Sequence, residues 1–285
     1  QLRRKGELLR HAQLQRSLHP ALHPEVFAEV HAPHRLVGDD LLSIATLGFR
    51  GEALPSIASV SRFTLTTRER ESDTPEATQV ILHGGKILEV RSAGHPAGTT
   101  VEVRSLFYNL PARRKFLRSE ETESAHISHY VALAALAHPE VGFILRQEDR
   151  VVWQFPSQPP SQPIAEAVQD RLRTLLGGGI SLLSVDSSAS LRTGDPSLPS
   201  EEEGTESAVR PNLRVWGFVG SPGVSRATRQ DQHLFVNRRP VESRALNFAL
   251  LEGYHTALMK GRYPICCLFL EIDPSEVDVN VHPTK

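Results

Sequence analysis

Two consecutive glycines, Gly84 and Gly85, separate the run ATQVILH from the run KILEVRS. Each run reads as a strand. Two glycines between such runs call for a tight antiparallel hairpin. SRFTLTTRE before it and GTTVEVRSLF after it read as further strands. A sheet with one apolar face needs helices to cover it, and three segments fit that need. SEETESAHISHYVALAALAHP carries acids in its first turn and Pro139 beyond its end, both marks of a helix. IAEAVQDRLRTLLGG and ALNFALLEGYHTALMKG read as the others. GFILRQ with RVVWQF predicts a second hairpin, and LRVWGFVG, QHLFVNRRPV and ICCLFLEI predict later strands. The fold class is α/β. SQPPSQP, residues 157–163, has the Pro, Ser and Gln content of a linker, so two α/β domains are expected to join near residue 160. Residues 186–211, rich in Ser, Gly, Pro and Glu, read as a disordered loop within the second.

Composition limits the remaining choices. The 285 residues are 39% apolar and 23% charged, enough for a globular core. No run approaches eighteen apolar residues, so no membrane span is expected, and the start carries no secretory pattern. Cys266 and Cys267 are neighbours inside ICCLFLEI, which suits buried thiols in a reducing compartment rather than a disulfide framework or a zinc site. Residues 1–36 are atypical: the first 35 hold five of the 13 histidines and three prolines, without a clear period from Ser17 to Leu36. The chain begins at Gln1 and stops at Lys285, and both ends read as cut.

Net charge is −1, but its distribution is uneven. From Arg210 to Arg262 nine basic residues face three acids, a local excess of six. Within it Arg238, Arg239 and Arg244 fall at a strand end and the next helix start, while Lys260 and Arg262 fall past that helix. Such a stretch suits contact with phosphate backbones without reading of bases; the plain alternative is a solvated face. No aromatic alternates with these cations, so no base-stacking platform is expected. Arg113, Arg114 and Lys115 form a second basic run. It reads either as paired with Glu120, Glu121 and Glu123 or as a contact for phosphate or a partner subunit.

LGFRGEAL, Leu47 to Leu54, places two glycines just before an apolar helical stretch. Glycine permits close backbone approach, and a helix start offers free N–H groups and the positive end of its dipole. Gly48, Gly51 and the N–H groups of Glu52 to Leu54 therefore suit an anion, phosphate above all; a plain loop-to-helix turn is the alternative. Pro55 would sit in the first turn, where its missing N–H costs little.

The wider text settles the weight of that motif. TLGFRGEAL with SIASVSR, HPAGTTVEV, LFYNLPARRKFL, FVNRRPV and LEIDPSEVDVNVHPTK, in that order, closely resemble the MutL family of DNA mismatch repair proteins. The resemblance runs from about residue 39 to the end. It implies a partial GHKL ATPase α/β sandwich over residues 37–157 and a ribosomal-protein-like transducer domain over 164–285. It makes Gly48, Phe49, Arg50, Gly51, Glu52, Ala53 and Leu54 the ATP lid, sets Thr99 beside the nucleotide, and gives Lys285 to the γ-phosphate. It implies ATP and Mg²⁺ as cofactors and non-specific duplex and single-stranded DNA as ligand. Arg244 matches a basic position of the family's DNA groove. A mismatch-sensing protein, a repair nuclease or helicase, and a second copy of the chain are the implied partners, in the cytoplasm or on a bacterial nucleoid.

Two family elements are missing. The E-x-x-N that supplies general base and Mg²⁺ ligand, and the D-x-G-x-G that holds adenine, do not occur in residues 1–47. HAPHRL at 31–36 has Pro33, His34 and Arg35 where the family has Thr, Ser and Lys, so residues 1–36 read as non-homologous. Without base and metal ligand, hydrolysis is expected to be impaired. The expected role is an ATP-operated DNA-binding switch coupling mismatch recognition to strand processing. The alternative is a non-ATPase DNA-binding fragment of such a protein. Another GHKL enzyme fits less well: a kinase lacks the second domain, and a topoisomerase lacks LFYNLPARRKFL and VDVNVHP.

Overall fold

The structure, a computed structural model, describes residues 53–70, 75–189 and 213–277. Residues 1–36, most of the glycine motif, most of the 186–211 loop and Lys285 lie outside the described residues. Two compact units divide between Ser119 and Glu120.

In the first unit, helix α1 (Ala53–Ser59) precedes four strands: β1 (Arg62–Arg68), β2 (Glu76–His83), β3 (Lys86–Gly94) and β4 (Gly98–Arg104). All pair antiparallel in the order β3-β2-β1-β4. The glycine hairpin forms as expected, with Gly84 and Gly85 at φ 57° and 84°. A Cβ on Gly84 would stand 2.8 Å from the Tyr108 hydroxyl, so glycine is required there for space as well as for conformation. The turn is tied back to α1, since Gly85 N–H donates to the Ala58 carbonyl at 3.0 Å. Ala58 joins Phe63, Leu65, Val80 and Leu82 in a closed cluster, against which Leu54 and Ile57 pack. The strand in GTTVEVRSLF stops at Arg104, because Ser105 and Phe107 turn left-handed at φ 52° and 60°. A short helix, α2 (Pro111–Arg114), follows. Arg113 and Arg114 are its last two residues.

The second unit opens with α3 (Glu120–Ala137), a hairpin of β5 (Phe143–Gln147) and β6 (Arg150–Phe155), and α4 (Ile164–Leu176). Its main sheet follows: β7 (Leu182–Ala189), β8 (Leu213–Gly220), β10 (Gln232–Val236), β11 (Arg239–Pro240) and β13 (Cys266–Ile272), ordered β11-β10-β13-β8-β7. β9 (Ser225–Arg226) pairs with β12 (Tyr263–Pro264) as a separate ribbon, and α5 (Arg244–Tyr254) lies between β11 and β12 in sequence. β10 and β13 run parallel; the other pairings are antiparallel. One sheet face presents Trp216, Phe218, Phe235, Cys267 and Phe269 to Leu133 and Leu136 of α3 and Val168 and Leu172 of α4. Phe269 stacks between Trp216 and Phe235, with ring centroids 4.4 and 4.6 Å away. Both cysteines are buried free thiols, and burial pushes the Cys266 thiol up to about 12. β8 and β13 approach so closely that a Cβ on Gly217 would lie 2.1 Å from the Cys267 carbonyl oxygen.

Three expected boundaries shift. β7 extends through Ala189, into the stretch expected to be loop, because its backbone pairs with β8 along that length. QHLFVNRRPV is two strands, not one, because Asn237 and Arg238 turn left-handed at φ 47° and 64°. The helix expected to reach Gly261 ends at Tyr254, where His255 leaves helical geometry at φ 41°, and a single 3₁₀ turn follows. Among the described residues no helix is long and apolar enough to cross a membrane.

The second unit is fastened at Arg171, which is 2% exposed. Its guanidinium donates to the carbonyls of Ala135 and His138 at the end of α3, Pro139 and Val141 in the following turn, and Pro156 after β6. It also lies 5.8 Å from the ring centroids of both Phe143 and Phe155. Desolvation pulls the guanidinium's pKa down, and Glu140 opposes that pull. Of these five carbonyls, that of His138 also accepts from the Val141 N–H at 3.0 Å and that of Pro139 from the Gln158 N–H at 2.9 Å, and the guanidinium serves the other three. Arg171→Met is expected to cost roughly 3–5 kcal/mol, because it leaves buried acceptors without donors. Arg171→Lys is expected to restore less than half, since an ammonium cannot reproduce the planar fork. Urea denaturation midpoints of the three proteins check this.

Candidate functional site

Of the expected ATP-binding residues, Ala53, Leu54 and Thr99 fall among the described residues, and Gly48, Phe49, Arg50, Gly51, Glu52 and Lys285 do not. Ala53 opens the described part of α1 and is exposed; Leu54 packs on the core beneath it. Thr99 is exposed on β4, its hydroxyl 2.7 Å from that of Thr67 on β1. Next to it, His95 spans the Thr100 hydroxyl at 2.7 Å and the Pro96 carbonyl at 2.7 Å, which fixes the HPAGT loop against its own strand. Among the described residues no group of three or more His, Cys, Asp or Glu side chains could hold a metal ion. Residues 1–47 also lack E-x-x-N. The described residues, with the sequence of residues 1–47, thus offer no ligand set of the family's kind for Mg²⁺.

The basic residues of the second unit are arranged more definitely. Arg238 occupies the turn between β10 and β11, Arg239 opens β11, and Arg244 is the first residue of α5. Ser243 caps that helix by accepting from the Leu246 N–H at 3.3 Å. The short path from Arg238 to Arg244 thus holds three cations on a hairpin and a capped helix start. Lys260 and Arg262 lie past the other end of α5, which is about 16 Å long. Arg262 donates to the hydroxyl and the carbonyl of Ser225 at 3.1 and 3.0 Å, so its side chain is anchored to the β9–β12 ribbon.

Charge in space differs from charge along the chain. Arg238 pairs with Glu140 at 3.0 Å, and Arg226 with Asp231 at 2.7 Å. Arg214 pairs with Asp186 at 2.9 Å and reaches Glu271 at 3.4 Å. Hydrogen bonding from Arg214 holds the Asp186 carboxyl below its usual range. Three of these four carboxylates lie outside the stretch whose excess was counted, so folding reduces that excess. Among the described residues Arg244 and Lys260 make no ion pair, and both are exposed.

A cleft of about 1230 Å³ runs along α3 and β10, lined by His126, His129, Asp231, His233 and Trp153 among others. His233 is 5% exposed, and its Nδ1 has no hydrogen-bond partner among the described residues. Burial and then the neighbouring His129 push its pKa down to about 4, against a smaller opposing effect of Asp231. A second cavity of about 500 Å³, almost wholly apolar, separates α5 from the other sheet face. α5 accordingly buries no residue completely.

Relatives fit this architecture. A family profile described as the C-terminal domain of DNA mismatch repair protein matches residues 198–285. The DNA mismatch repair protein MutL of Opitutus terrae is 44% identical over 246 residues, which is 86% of this chain and 35% of that protein. MutL of Geobacter sulfurreducens is 42% identical over 258 residues, 90% of this chain and 38% of that protein. The chain thus spans little more than a third of the length of these curated relatives. Among solved structures, the ATPase domain of Aquifex aeolicus MutL complexed with ADP superposes with a TM-score of 0.54 at 25% identity, covering 87% of this chain and 82% of that one. The N-terminal domain of a DNA repair protein superposes with a TM-score of 0.66 at 25% identity, covering 91% and 73%. The fold is that of an ATPase region of the GHKL class, a partial α/β sandwich followed by a ribosomal-protein-like transducer domain. The chain belongs to the MutL family of DNA mismatch repair proteins.

The buried imidazole makes stability depend on pH. A neutral His233 in the fold faces an unfolded state that takes up a proton near pH 6.5. The unfolded state therefore binds more protons between about pH 4 and 6.5, and stability falls as pH drops through that window. The slope approaches about 1.4 kcal/mol per pH unit for one proton. His233→Gln is expected to remove that slope, as measured by denaturation midpoints at pH 7, 6, 5 and 4.5.

Proposed function

We propose that this chain is the DNA-holding, nucleotide-responsive region of a mismatch repair protein, and that hydrolysis in it is impaired. The observation that carries the DNA reading is the disposition of Arg238, Arg239 and Arg244. These three cations lie on one hairpin and an adjoining capped helix start, with Arg244 exposed and free of ion pairing among the described residues. Such a surface matches phosphates, whose spacing is independent of sequence. Lys260 and Arg262 extend it beyond the far end of α5.

The glycine-rich lid, with Thr99 and Lys285, is the proposed ATP site. Backbone N–H groups at the start of α1 would face the phosphates. Magnesium would ordinarily neutralise the phosphates of such a nucleotide, yet this chain offers no E-x-x-N to hold it or to activate water. Bound ATP would then act as a ligand that stabilises one conformation. In the parent protein this region would couple a mismatch-sensing partner to a nuclease or helicase and pair with a second copy. The absent E-x-x-N and D-x-G-x-G favour a second reading, a DNA-binding fragment without ATPase activity.

Two measurements test these readings. Arg244→Glu is expected to weaken binding to every duplex sequence alike and to lower the salt slope by roughly one to two units, each phosphate contact contributing about −0.9. The fold should survive, because Arg244 is exposed and buries little; circular dichroism checks that. Unchanged affinity and slope in the folded variant would leave only a solvated basic face. Steady-state ATP turnover is expected to be near background. Turnover matching that of an intact relative, abolished by substitution of Arg50 or Lys285, would overturn the impairment.

A further inference from the structure

The turn that carries Arg238 is held by a side chain acting as a piece of backbone. β10 and β13 run parallel with Val236 opposite Leu270, and the Asn237 N–H donates to the Leu270 carbonyl at 2.9 Å. There the main chain of β10 leaves the sheet, because Asn237 and Arg238 reverse it into β11. The ladder continues all the same. The Asn237 carboxamide donates through Nδ2 to the Ile272 carbonyl at 2.9 Å, and Oδ1 accepts from the Ile272 N–H at 3.0 Å. One planar group with a donor and an acceptor thus replaces the peptide that has turned away. Asn also tolerates the left-handed region, which most residues enter at a cost.

Arg238 does pay such a cost, at φ 64°. A left-handed non-glycine residue is strained and persists where its surroundings over-determine it. Two tethers are visible. One is the exposed ion pair with Glu140, a weak constraint. The other is the paired amide contact of the preceding residue, which is partly shielded from solvent.

We propose that Asn237 is a positioning residue for DNA: its carboxamide bolts the β10–β11 turn to the end of β13 and so fixes where Arg238 and Arg239 meet the phosphate backbone. This rests on the reading of those two arginines as phosphate contacts. The chemistry recognised is a phosphodiester backbone, and the carboxamide itself need not touch it.

The test compares duplex binding across a salt titration for the wild-type chain, an Arg238→Ala/Arg239→Ala double variant, Asn237→Ala, Asn237→Gly, and the triple variant joining Asn237→Ala to the arginine pair. Thermal melts and amide exchange at Ile272 accompany each. The double variant should lose at least about tenfold in affinity at 0.1 M salt and about two units of slope, as two lost phosphate contacts require. Both Asn237 variants should remain folded, exchange faster at Ile272, and lose a comparable part of the affinity and slope. The triple variant should bind no worse than the arginine pair, a non-additivity that mere loss of stability would not produce. Asn237→Gly keeps the turn conformation but not the two bonds. Full affinity in that variant would show that conformation alone suffices and would overturn the proposal. So would a folded Asn237→Ala that binds like wild type while the arginine pair does not. So would collapse of the fold in both Asn237 variants, which would make Asn237 a folding residue. Wild-type binding by the arginine pair would instead remove the phosphate reading on which the proposal stands.

Discussion

A guanidinium with almost no access to water gathers the carbonyls that end α3, turn the chain through Pro139 and close β6. Helix α4 can supply that group only if Arg171 points into the core, on the same side as Ala167, Val168 and Leu172. Val168 and Leu172 pack on the sheet face that carries Trp216, Phe235 and Phe269. The position of the main sheet therefore depends on a charged side chain being desolvated in one geometry. Such groups stabilise modestly when complete and destabilise strongly when one partner is lost. That asymmetry makes the connection between α3 and the sheet nearly all-or-none.

The cations on the surface follow the opposite logic. Arg214, Arg226 and Arg238 are neutralised locally by carboxylates, while Arg244 and Lys260 are left to solvent among the described residues. Exposed ion pairs contribute little to stability and exchange readily for other anions. A phosphate approaching Arg238 would compete with Glu140, whose carboxyl is kept ionised by its own backbone, His138 and Arg238 against the effect of burial. The exposed pair thus holds Arg238 only loosely, and another anion can take the place of Glu140.

Much of this was legible in the sequence. The Gly84-Gly85 hairpin, the β5–β6 hairpin and the helices beginning at Glu120 and Ile164 fall where period and punctuation put them. What escaped was set by partners distant along the chain. Arg214 meets Asp186 and Glu271, 28 and 57 residues away, and Arg238 meets Glu140 at a separation of 98. No local window reports such pairs, so the excess of six cations overstated the field. The break at Asn237 was also hidden, because an arginine in a left-handed turn is not a turn signal. Arg171 left a trace: it shares the helical phase of Ala167, Val168 and Leu172, a charged residue on an apolar stripe. The lid residues from Gly48 to Glu52 rest on the family resemblance and the physics of helix starts.

The stacked Trp216 has a spectroscopic consequence. The chain holds two tryptophans, Trp153 and Trp216, and both lie in the second unit. Trp216 sits 4.4 Å from Phe269, with its indole N–H bonded to Glu271 at 2.7 Å, and Trp153 stacks on Phe155 near the buried guanidinium. Emission excited at the red edge therefore reports the sheet and its fastening alone. The β1–β4 layer, with its tyrosine at position 108, is dark to that probe. A fluorescence melt and a circular dichroism melt of this chain observe different parts of it, and a gap between the two curves would measure how independently the units unfold.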